Sequence, residues 1–559
     1  MTFVRKALAA VLIGGAVSAA AAAEVDRSLV QIGESIYLHG VLGSGAELQA
    51  MREGGGPGAK GGDAACVNCH LRSALGSSHQ STGIGARTPA RQIPPIAGRY
   101  LFESAMIGHD QPNLPYVDGM RTNRSPYTEA TLARVLREGI DPDGHRLGYL
   151  MPRFSLGDDD LAALIAYLKT IDPTRVPGVT DTDLHFATIV TPDVDPARRD
   201  AMVHVMQAYF DERNIRQMNP SAQMRASGRT QYARSMFMVH RQWRLHVWDL
   251  KGQPSEWSAQ LAEFFRKTPV FAVVSGLGAS NWAPVHAFCE KRRLPCLFPN
   301  VEVPVDASGD YFELYLSRGV LLEVDLIAEG IRRGAGPGVP AARRVHQIYR
   351  PGDSGEPAAR ALAARLRTQG IEVGESVVSE GGRDLPAAVR AASGADALVL
   401  WLRPADLGAL GDPKDAPATL YVSGLMAGLD HAPLPAPWRG RAHMAYPVDL
   451  PEQRVVRVDY PMGWFRIRKI PVVDERLQAD TYLACGLLSE ALKDMTGTFF
   501  GPYLIEEMQT MVEHRTVTGY YPRLSLAENQ HFASKGGYLV HFGGPEGTRI
   551  VADSDWIVP

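Results

Sequence analysis

The pattern that most restricts the fold of this 559-residue chain is an alternation of short apolar strands and longer helices from about residue 183 onward. Segments that read as strands occur at residues 186–190, 270–274, 344–349, 397–401 and 419–423, with helical patterns between them. Repeated β-α units of this length predict parallel sheets covered by helices. The region is too long for one open sheet. We therefore predict two Rossmann-like lobes, that is, a two-lobed α/β fold over residues 183–559.

The beginning of the chain has the pattern of an exported protein. Two basic residues precede an apolar run from Ala7 to Val17, and small residues follow as far as Ala23. A short basic stretch, a short apolar core and an Ala-x-Ala ending are typical of a secretory signal peptide, whereas a membrane span needs about 20 apolar residues. We predict a signal peptide over residues 1–23 and a periplasmic location after its cleavage, with no membrane span in the mature chain.

The charge balance excludes some classes of partner. The formal net charge is −3, from 58 Lys and Arg against 61 Asp and Glu. A chain without a polybasic face is not expected to bind nucleic acids or anionic membranes.

Two of the five cysteines lie in the sequence Cys66-Val67-Asn68-Cys69-His70. This Cys-x-x-Cys-His spacing is the attachment signal for c-type haem, in which two thiols form thioethers and the adjacent histidine faces the iron. A thioredoxin-like pair would follow a strand, but a glycine-rich loop precedes Cys66. A zinc site would need a second ligand pair nearby, and the sequence has none at suitable spacing. The motif therefore predicts one covalently bound haem c as cofactor.

The segments around this motif predict a small helical domain. Helical patterns occur at residues 29–39, at 129–138 and from Asp158 onward, where three aspartates suit the positive end of the helix dipole. The loop Pro94-Pro95-Ile96 is expected to cover the histidine, because a carbonyl group commonly accepts the free N–H of a metal-bound imidazole.

In the order of these motifs, residues 28–171 resemble the class I cytochrome c domain. The matching features are Gly33 and Tyr37 in the first helix, Cys66-Cys69-His70, Met151-Pro152 in the distal loop and Tyr167-Leu168 in the last helix. The resemblance implies an all-α monohaem domain over residues 24–171, with His70 and Met151 as axial iron ligands. A His/Met pair fills the sixth coordination position, which favours electron transfer over oxygen chemistry.

The chain departs from the cytochrome pattern in two places. A glycine-rich insertion precedes Cys66, and a long stretch separates His70 from Met151. That stretch contains four alternatives to Met151 as the sixth ligand, which are Met106, His109, Met120 and His145.

A linker is predicted at residues 172–182, where Pro, Gly, Thr and Asp interrupt the helical pattern. Beyond it, the segment from Ser275 to Ser280 has the glycines of a dinucleotide-binding loop but lacks the expected place after the first strand and the acidic residue about 20 positions on. Walker A and nucleophile-elbow patterns are also absent from the sequence. We therefore predict no catalytic residues in residues 180–559, and a carrier or binding protein rather than an enzyme.

Residues 183–559 resemble the type I periplasmic solute-binding proteins, the branched-chain amino-acid receptor-like (leucine-binding-protein) family. The resemblance rests on residues 274–276, 297–300, 477–482, 521–526 and 530–538. Such proteins hold a small polar ligand between two hinged lobes, at loops that follow the carboxyl ends of strands. For this chain the resemblance implies a ligand site at Ser275, Ser280, Asn300, Asp353, Ser354 and Ser423. The alternative for each residue is a helix cap or a turn.

The other three cysteines lie in this second part of the chain. Cys289 and Cys296 are close in sequence, and in an oxidising compartment they predict a short local disulfide. Cys485 lies within an apolar helical segment and is predicted to be a buried free thiol.

Together these features predict a periplasmic c-type cytochrome that transfers one electron through a His/Met haem. Its second part would recognise a small polar ligand, such as an amino acid, or dock a redox partner, such as a periplasmic dehydrogenase or another cytochrome. One alternative is a substrate-binding receptor of the ABC-transporter type, or a sensor, in which the haem reports redox state. Another is an enzyme that oxidises a ligand near the haem, which would need an open sixth position on the iron.

Overall fold

The helices and strands of the chain group into two units. The computed structural model describes residues 28–52, 58–76, 93–103, 124–218, 241–279, 281–307, 309–336, 338–456, 461–495, 498–513, 519–544, 547 and 549–559. The first unit consists of residues up to Val176 together with Met495–Glu506, and the second of Pro177–Asp494 together with Glu507–Pro559. The predicted signal peptide at residues 1–23 lies outside the described residues.

The first unit is mainly helical. Its helices are α1 (28–39), α2 (Val67–His70), α3 (Gly98–Phe102), α4 (Glu129–Glu138) and α5 (Asp158–Thr170), with a 3₁₀ turn at Gly61–Ala64. Helix α1 crosses α5 at Gly33, where a Cβ atom would overlap the carbonyl oxygen of Ala163. Glycine permits this close approach because it has no side chain. The crossing brings Tyr37 and Tyr167 together, with their ring centroids 5.4 Å apart.

The prediction of an all-α first domain is wrong. Strands β1 (Gln49–Met51), β2 (Ala59–Lys60) and β3 (Arg153–Ser155) form an antiparallel sheet in the order β2-β1-β3. In β1 and β3, Gln49 pairs with Ser155 and Met51 pairs with Arg153. The physical reason is that β1 and β2 form a short hairpin whose open edge has unpaired backbone groups, and β3 pairs with them.

Helix α4 is capped at both ends, and α5 begins with acidic residues. The side-chain hydroxyl of Thr128 accepts a hydrogen bond from the backbone N–H of Thr131, and the side-chain hydroxyl of Thr131 accepts one from the backbone N–H of Thr128. Gly139 ends α4 in the left-handed conformation, with φ +73°. Three aspartates fill the first turn of α5. The predicted bounds of α4 and the predicted start of α5 are confirmed.

The core of the first unit includes residues from two distant parts of the chain. Its buried members include Tyr37, Leu136 and Leu164. Phe500 and Tyr503 pack against this core, and the backbone N–H of Ser73 donates a hydrogen bond to Oε1 of Glu506 at 2.8 Å. A segment near the end of the chain therefore completes the first unit.

The second unit contains two sheets, and its first sheet is parallel throughout. The strands are β4 (Asp183–Val190), β5 (Gln242–Asp249), β6 (Ala272–Val274), β7 (Leu277–Gly278), β8 (Cys296–Leu297), β9 (Asn300–Val301) and β10 (Glu313–Leu314). Their order is β10-β8-β6-β4-β7-β9, with β5 paired to β4. Helices α6 (Pro196–Met218), α7 (Pro254–Lys267) and α8 (Ala283–Arg292) connect these strands. We call this sheet and its helices the first lobe.

The second sheet is mixed. Its strands are β11 (Arg344–Tyr349), β12 (Glu372–Val377), β13 (Ala397–Trp401), β14 (Thr419–Ser423), β15 (Ala442–Tyr446), β16 (Tyr538–Gly543) and β17 (Arg549–Ala552), in the order β12-β11-β13-β14-β15-β16-β17. Strands β11 to β15 are parallel, whereas β16 and β17 are antiparallel to their neighbours. We call this sheet and its helices the second lobe.

The helices of the second lobe are α9 (Val320–Arg333), α10 (Gly355–Thr368), α11 (Leu385–Ala391), α12 (Pro404–Leu407), α13 (Gly424–Ala427) and α14 (Ala436–Arg439), with 3₁₀ turns at Pro413–Asp415 and Leu429–His431. The strand order confirms the prediction of two α/β lobes, and the predicted bounds of β11, β13 and β14 are confirmed. The antiparallel strands β16 and β17 were not predicted.

The chain passes between the lobes three times. Residues 316–319 lead from β10 to α9, residues 447–450 lead back from β15, and residues 534–537 lead to β16. We call these segments the connections. After the second connection come α15 (Pro451–Arg454), α16 (Met462–Arg468), α17 (Glu475–Asp494) and α18 (Gly501–Glu513). Helix α17 packs against α6 of the first lobe.

In the part of the chain described here, no helix has both the length and the apolar character to cross a membrane.

The predicted disulfide between Cys289 and Cys296 is not formed in this structure and stays a prediction. Both side chains are free thiols and both are fully buried, Cys289 in α8 and Cys296 in β8, and the two thiols lie within hydrogen-bond distance of each other. Burial raises the pKa of the Cys296 thiol well above its usual value, which keeps it protonated and unreactive. Cys485 is also buried and free, as predicted.

Candidate functional site

The Cys-x-x-Cys-His motif forms one helical turn. Cys66 directly precedes α2 and has helical backbone angles (φ −63°, ψ −33°), while Cys69 and His70 are the last two residues of that helix. Residues three and four positions apart share one face of a helix. Cys66 is partly buried, Cys69 is exposed, and His70 is only 5% exposed. The motif therefore presents two thiols and one buried imidazole from a single short helix.

The orientation of His70 is set by one hydrogen bond. Its Nδ1 atom lies 3.0 Å from the carbonyl oxygen of Pro94. Because a carbonyl group can only accept, Nδ1 carries the hydrogen and Nε2 keeps its lone pair. Burial lowers the pKa of His70 to about 4, although the bond to Pro94 acts in the opposite direction. The predicted contact of the 94–96 loop with His70 is confirmed, and the neutral imidazole is the form that binds metals.

The loop after α2 is fixed by two further hydrogen bonds. The hydroxyl of Tyr37 donates to the carbonyl oxygen of Leu71 at 2.7 Å. The backbone N–H of Ile96 donates to the carbonyl oxygen of Ala74, also at 2.7 Å. These contacts join the loop to α1 and to the segment that carries Pro94, so the position of His70 does not depend on α2 alone.

Met151 lies between α4 and β3 and is partly buried. Its side chain and that of Cys66 pack against the same hydrophobic core. Among the alternative ligands, His145 has a side chain that is 57% exposed and lies 3.4 Å from Oδ1 of Asp141. The other three, Met106, His109 and Met120, lie outside the described residues. The two thiols, the neutral buried imidazole and a thioether on the same core fit a c-type haem.

A second candidate site is a small cavity between the lobes of the second unit. Its wall contains residues from the first lobe, from α17, from two of the connections and, through Leu425, from the second lobe. The polar side chains of the wall belong to Asn300, Glu302, Ser317, Arg476, Asp480 and Tyr521. The cavity has a volume of about 20 Å³, which is room for about one water molecule.

One side of the cavity carries an ion pair between a partly exposed arginine and a buried aspartate. Arg476 and Asp480 lie one helical turn apart in α17, and Nη1 of Arg476 donates to Oδ2 of Asp480 at 3.2 Å. The hydroxyl of Tyr521 donates to the same oxygen at 3.2 Å. Asp480 is 2% exposed. Burial raises the pKa of its carboxyl group to about 6, although Arg476 and Tyr521 act to lower it.

A second charge network includes Glu302 of the cavity wall. The guanidinium of Arg403, which follows β13, donates to both carboxylate oxygens of Glu302 at 2.7 and 2.6 Å. It also donates through Nε to Asp353 at 2.9 Å, and the hydroxyl of Ser354 donates to Glu302 at 2.7 Å. Burial would raise the pKa of Glu302, but the hydrogen bonds and charge of Arg403 lower it below its usual value. Glu302 is therefore a paired carboxylate.

Three of the predicted ligand residues do not line the cavity but are connected to residues of its wall by hydrogen bonds. Ser275 Oγ accepts from Nδ2 of Asn300 at 2.9 Å and lies 3.0 Å from the hydroxyl of Thr481. Ser354 donates to Glu302 of the wall, and Asp353 is connected to Glu302 through Arg403, which donates to both carboxylates. Of the six predicted residues, Asn300 lines the cavity itself.

The remaining two predicted residues do not line the cavity. The side chain of Ser423 accepts a hydrogen bond from the backbone N–H of Met426 at the start of α13 and donates one to the buried Glu323. This is the helix-cap role that was the alternative for Ser423. Ser280 lies outside the described residues.

Sequence reasoning missed five charged or phenolic residues at this site, which are Glu302, Arg403, Arg476, Asp480 and Tyr521. Arg403 follows the carboxyl end of β13, and the rule that selected Asp353 applies to it equally. Asp480 and Tyr521 lie in the stretches 477–482 and 521–526 that suggested the family. No sequence pattern places Arg476 and Tyr521 on one carboxylate, because that contact depends on the path of the connections.

Comparisons with known proteins find solved structures that are similar to part of the chain. Neither a protein-family model nor a curated protein matches it. Among solved structures, it is similar to a fatty acid ABC transporter substrate-binding protein from Thermomonospora curvata, at 15% identity over 69% of this chain and 95% of that one, with a TM-score of 0.49. It is also similar to a leucine-binding protein from Thermotoga maritima, at 13% identity over 67% and 99%, with a TM-score of 0.49.

A third likeness is to a branched-chain amino acid transporter substrate-binding protein from Streptococcus pneumoniae in complex with isoleucine. The identity is 13% over 68% of this chain and 100% of that one, and the TM-score is 0.48. The two-lobed α/β architecture of this chain is established by its own strand order and register, as described above.

Proposed function

We propose that the second unit is a receptor that binds a small polar ligand between its two lobes. The observation that carries this proposal is the cavity at the connections, which is lined by both lobes and by the ion pair of Arg476 with the buried Asp480. Ligand sites are concave and use a few well-placed polar groups, and they commonly lie between lobes or domains. Buried charges are costly to retain without a purpose, because desolvation offsets much of their attraction.

The size of the cavity bears on how a ligand would enter. A space of about 20 Å³ holds about one water molecule, so a ligand of several atoms requires the lobes to separate and close around it. The three connections are the segments about which such a movement would occur, because they are the links of the backbone between the two sheets.

Thermal unfolding tests this proposal. We would measure the melting temperature of the full-length, haem-loaded protein with a panel of amino acids, small acids, amides, alcohols and amines. A ligand at 100 times its dissociation constant stabilises the folded state by about 2.7 kcal/mol, a shift of several degrees for a unit of this size.

The matched control uses two arginines. Arg476→Gln is expected to remove the ligand-induced rise in melting temperature, because Arg476 donates to the carboxylate of Asp480 at the cavity. Arg332→Gln, at an exposed pair on α9, is expected to leave it intact. If no compound in the panel raises the melting temperature, the receptor proposal is wrong and a docking role becomes the better hypothesis.

We also propose that the first unit carries one haem c, attached through Cys66 and Cys69 and ligated by His70 and Met151. The observation that supports it is the hydrogen bond from Nδ1 of His70 to Pro94, which leaves Nε2 free on a neutral, buried ring. The bound group would supply one-electron transfer. The chain's own residues orient the imidazole, exclude water from it and present a thioether from the same core.

Absorption spectroscopy tests the haem proposal. The oxidised protein is expected to show a far-red band from sulfur-to-iron charge transfer, and Met151→Leu is expected to abolish it. Met51→Leu, at an exposed methionine of the same unit, should retain the band. A band that survives Met151→Leu would refute the Met151 assignment, and a protein without covalent haem would refute the attachment.

The cellular role follows from these two proposals taken together. The main hypothesis is a periplasmic electron carrier with a ligand-binding or docking part, and the alternative is a substrate-binding receptor in which the haem reports redox state. The inter-lobe cavity favours the receptor alternative, because a carrier alone has no need of it. The periplasmic location, the redox partner and any link to an ABC permease stay predictions. N-terminal sequencing of the mature protein tests the signal-peptide cleavage on which the periplasmic location rests, with Glu24 as the expected first residue.

A further inference from the structure

Three acidic side chains surround one histidine in the first lobe. Nδ1 of His286 contacts the carboxylate of Glu313, and Nε2 of His286 lies 2.7 Å from Oδ2 of Asp310. Glu290 is the third acid, and one ligand atom each of His286, Glu290 and Asp310 lie within 4.8 Å of one another. In the part of the chain that the structure describes, no lysine or arginine pairs with these carboxylates. The cluster therefore has at most one positive charge, on the imidazole, against three carboxylates.

The cluster is assembled from α8 and from the segment before β10. His286 and Glu290 lie four positions apart in α8, so they share one face of that helix. This is the spacing by which two side chains of one helix can bind the same metal ion. The backbone N–H groups of Tyr311 and Phe312 donate to Oε1 of Glu290 at 3.1 and 2.6 Å. These bonds hold the carboxylate of Glu290 beside the segment that carries Asp310.

The orientation of His286 is fixed by a carboxylate behind it. Glu313 is fully buried, and its Oε1 accepts a hydrogen bond from the indole N–H of Trp282 at 2.6 Å. Its other oxygen accepts from Nδ1 of His286, which leaves Nε2 facing Asp310. Histidines that bind metals commonly donate their other ring N–H to a carboxylate in this way.

The ligand types indicate which ions fit. One imidazole nitrogen with two carboxylates suits zinc and other divalent transition metals, whereas calcium and magnesium prefer oxygen ligands alone. At zinc–ligand bonds of about 2.1 Å, two ligand atoms of a tetrahedral ion lie about 3.4 Å apart. The 2.7 Å contact between His286 and Asp310 would therefore lengthen by about 0.7 Å. A divalent ion would also supply the positive charge that the cluster lacks.

We propose that His286, Glu290 and Asp310 bind a divalent transition metal ion such as Zn²⁺, with Glu313 as the positioning residue that orients His286. Without the ion, His286 is an imidazolium between two carboxylates. The ion displaces the proton that Nε2 donates to Asp310, and this proton passes to solvent. Three protein ligands leave a fourth position for water. None of these four residues lines the inter-lobe cavity, so the inference does not depend on the receptor or the haem proposal.

Calorimetric titration with metal ions tests this inference. We would treat the full-length, haem-loaded protein with a chelator, remove the chelator, and titrate with Zn²⁺, Ca²⁺ and Mg²⁺. Zn²⁺ is expected to bind about ten-fold or more tightly than the other two. Asp310→Asn and Glu290→Gln each replace a ligand with a neutral group of the same size. Each is expected to weaken zinc binding about ten-fold or more, because loss of even a partner behind a metal ligand has that effect.

Two control variants make the experiment specific. Asp143→Asn belongs to the other described cluster of possible ligands, with Asp141 and His145, and it should bind zinc as the wild type does. Glu263→Gln, at a partly exposed glutamate of α7, should do the same.

X-ray absorption at the zinc edge replaces the ligand variants if they do not fold. The wild type is expected to show nitrogen and oxygen ligands at about 2.0–2.2 Å and no sulfur at about 2.3 Å. A sulfur ligand would place the ion on the cysteines and overturn the site.

The remaining outcomes are equally decisive. The site is overturned if zinc does not bind, if its affinity is unchanged in both Asp310→Asn and Glu290→Gln, or if it falls in Asp143→Asn. Calcium or magnesium binding as tight as that of zinc would overturn the assignment to a transition metal.

Discussion

A buried histidine in the first lobe predicts how stability depends on pH. In α8, Nδ1 of His286 contacts the carboxylate of Glu313, and Nε2 lies 2.7 Å from Oδ2 of Asp310. Glu313 is fully buried, and its other oxygen accepts from the indole N–H of Trp282 at 2.6 Å. Because each ring nitrogen faces a carboxylate, the doubly protonated imidazolium is the form that satisfies both contacts.

The size of the effect follows from the shift in pKa. Burial alone would lower the pKa of His286, but Glu313 and Asp310 raise it from 6.5 to about 9. A folded-state pKa above the unfolded value means that the stabilisation is fully present below pH 6.5 and is lost as the pH rises through 9. At about 1.4 kcal/mol per pKa unit, the loss is about 3 kcal/mol in the free energy of unfolding.

The assay is urea unfolding between pH 6 and pH 10, on the wild type and on His286→Gln/Glu313→Gln, which replaces the charged pair with neutral groups. The difference in unfolding free energy between the two proteins should fall by about 3 kcal/mol over that range. Glu290 and Tyr315 also border His286, and both are present in either protein, so their titration affects the difference less. His431→Gln, at an 81% exposed histidine side chain, should show the same pH dependence of the unfolding free energy as the wild type. A difference that is constant with pH would refute the reasoning.

Two further predictions concern packing and thiol chemistry. Gly33→Ala should lower the unfolding free energy of the first unit by about 1–3 kcal/mol, because the new methyl group overlaps the carbonyl of Ala163. The loss of the haem spectrum on heating measures this change. An unchanged midpoint of thermal unfolding would contradict the close crossing of α1 and α5. The haem-loaded protein, unfolded without reductant, should show three reactive thiols, from Cys289, Cys296 and Cys485. A count of one would mean that the pair is oxidised.

The local structure that sequence could predict is the part set by neighbouring residues. The bounds of α4 follow from the Thr128–Thr131 caps and from Gly139, all within one short segment. Likewise β13 is a continuous apolar run, because both faces of a parallel strand are covered, and β14 has three such residues at its centre. The hydrogen bond between His70 and Pro94 also followed from the type and order of the motifs.

The features that sequence could not predict depend on distant contacts. The strands β1 and β2 are two or three residues long, and their partner β3 lies about 100 positions further on; runs this short have no periodicity to detect. The Arg476–Asp480 pair reads as an ordinary helix-surface pair in the sequence. Asp480 is nevertheless buried, and its surroundings come from distant segments: Tyr521 donates to its carboxylate, and two of the connections line the same cavity.

The segment at residues 495–506 sets the order in which the chain can mature. The Cys-x-x-Cys-His motif is synthesised early, but Phe500 and Tyr503, which pack against the core of the first unit, come from the last eighth of the chain. A fragment that ends at Val176 would lack them, and so would a nascent chain of that length. We therefore expect Cys66 and Cys69 to be synthesised while their unit is still incomplete, and the unit to close only when translation is nearly finished; if the proposed haem is attached, the thiols would be open to it during that interval.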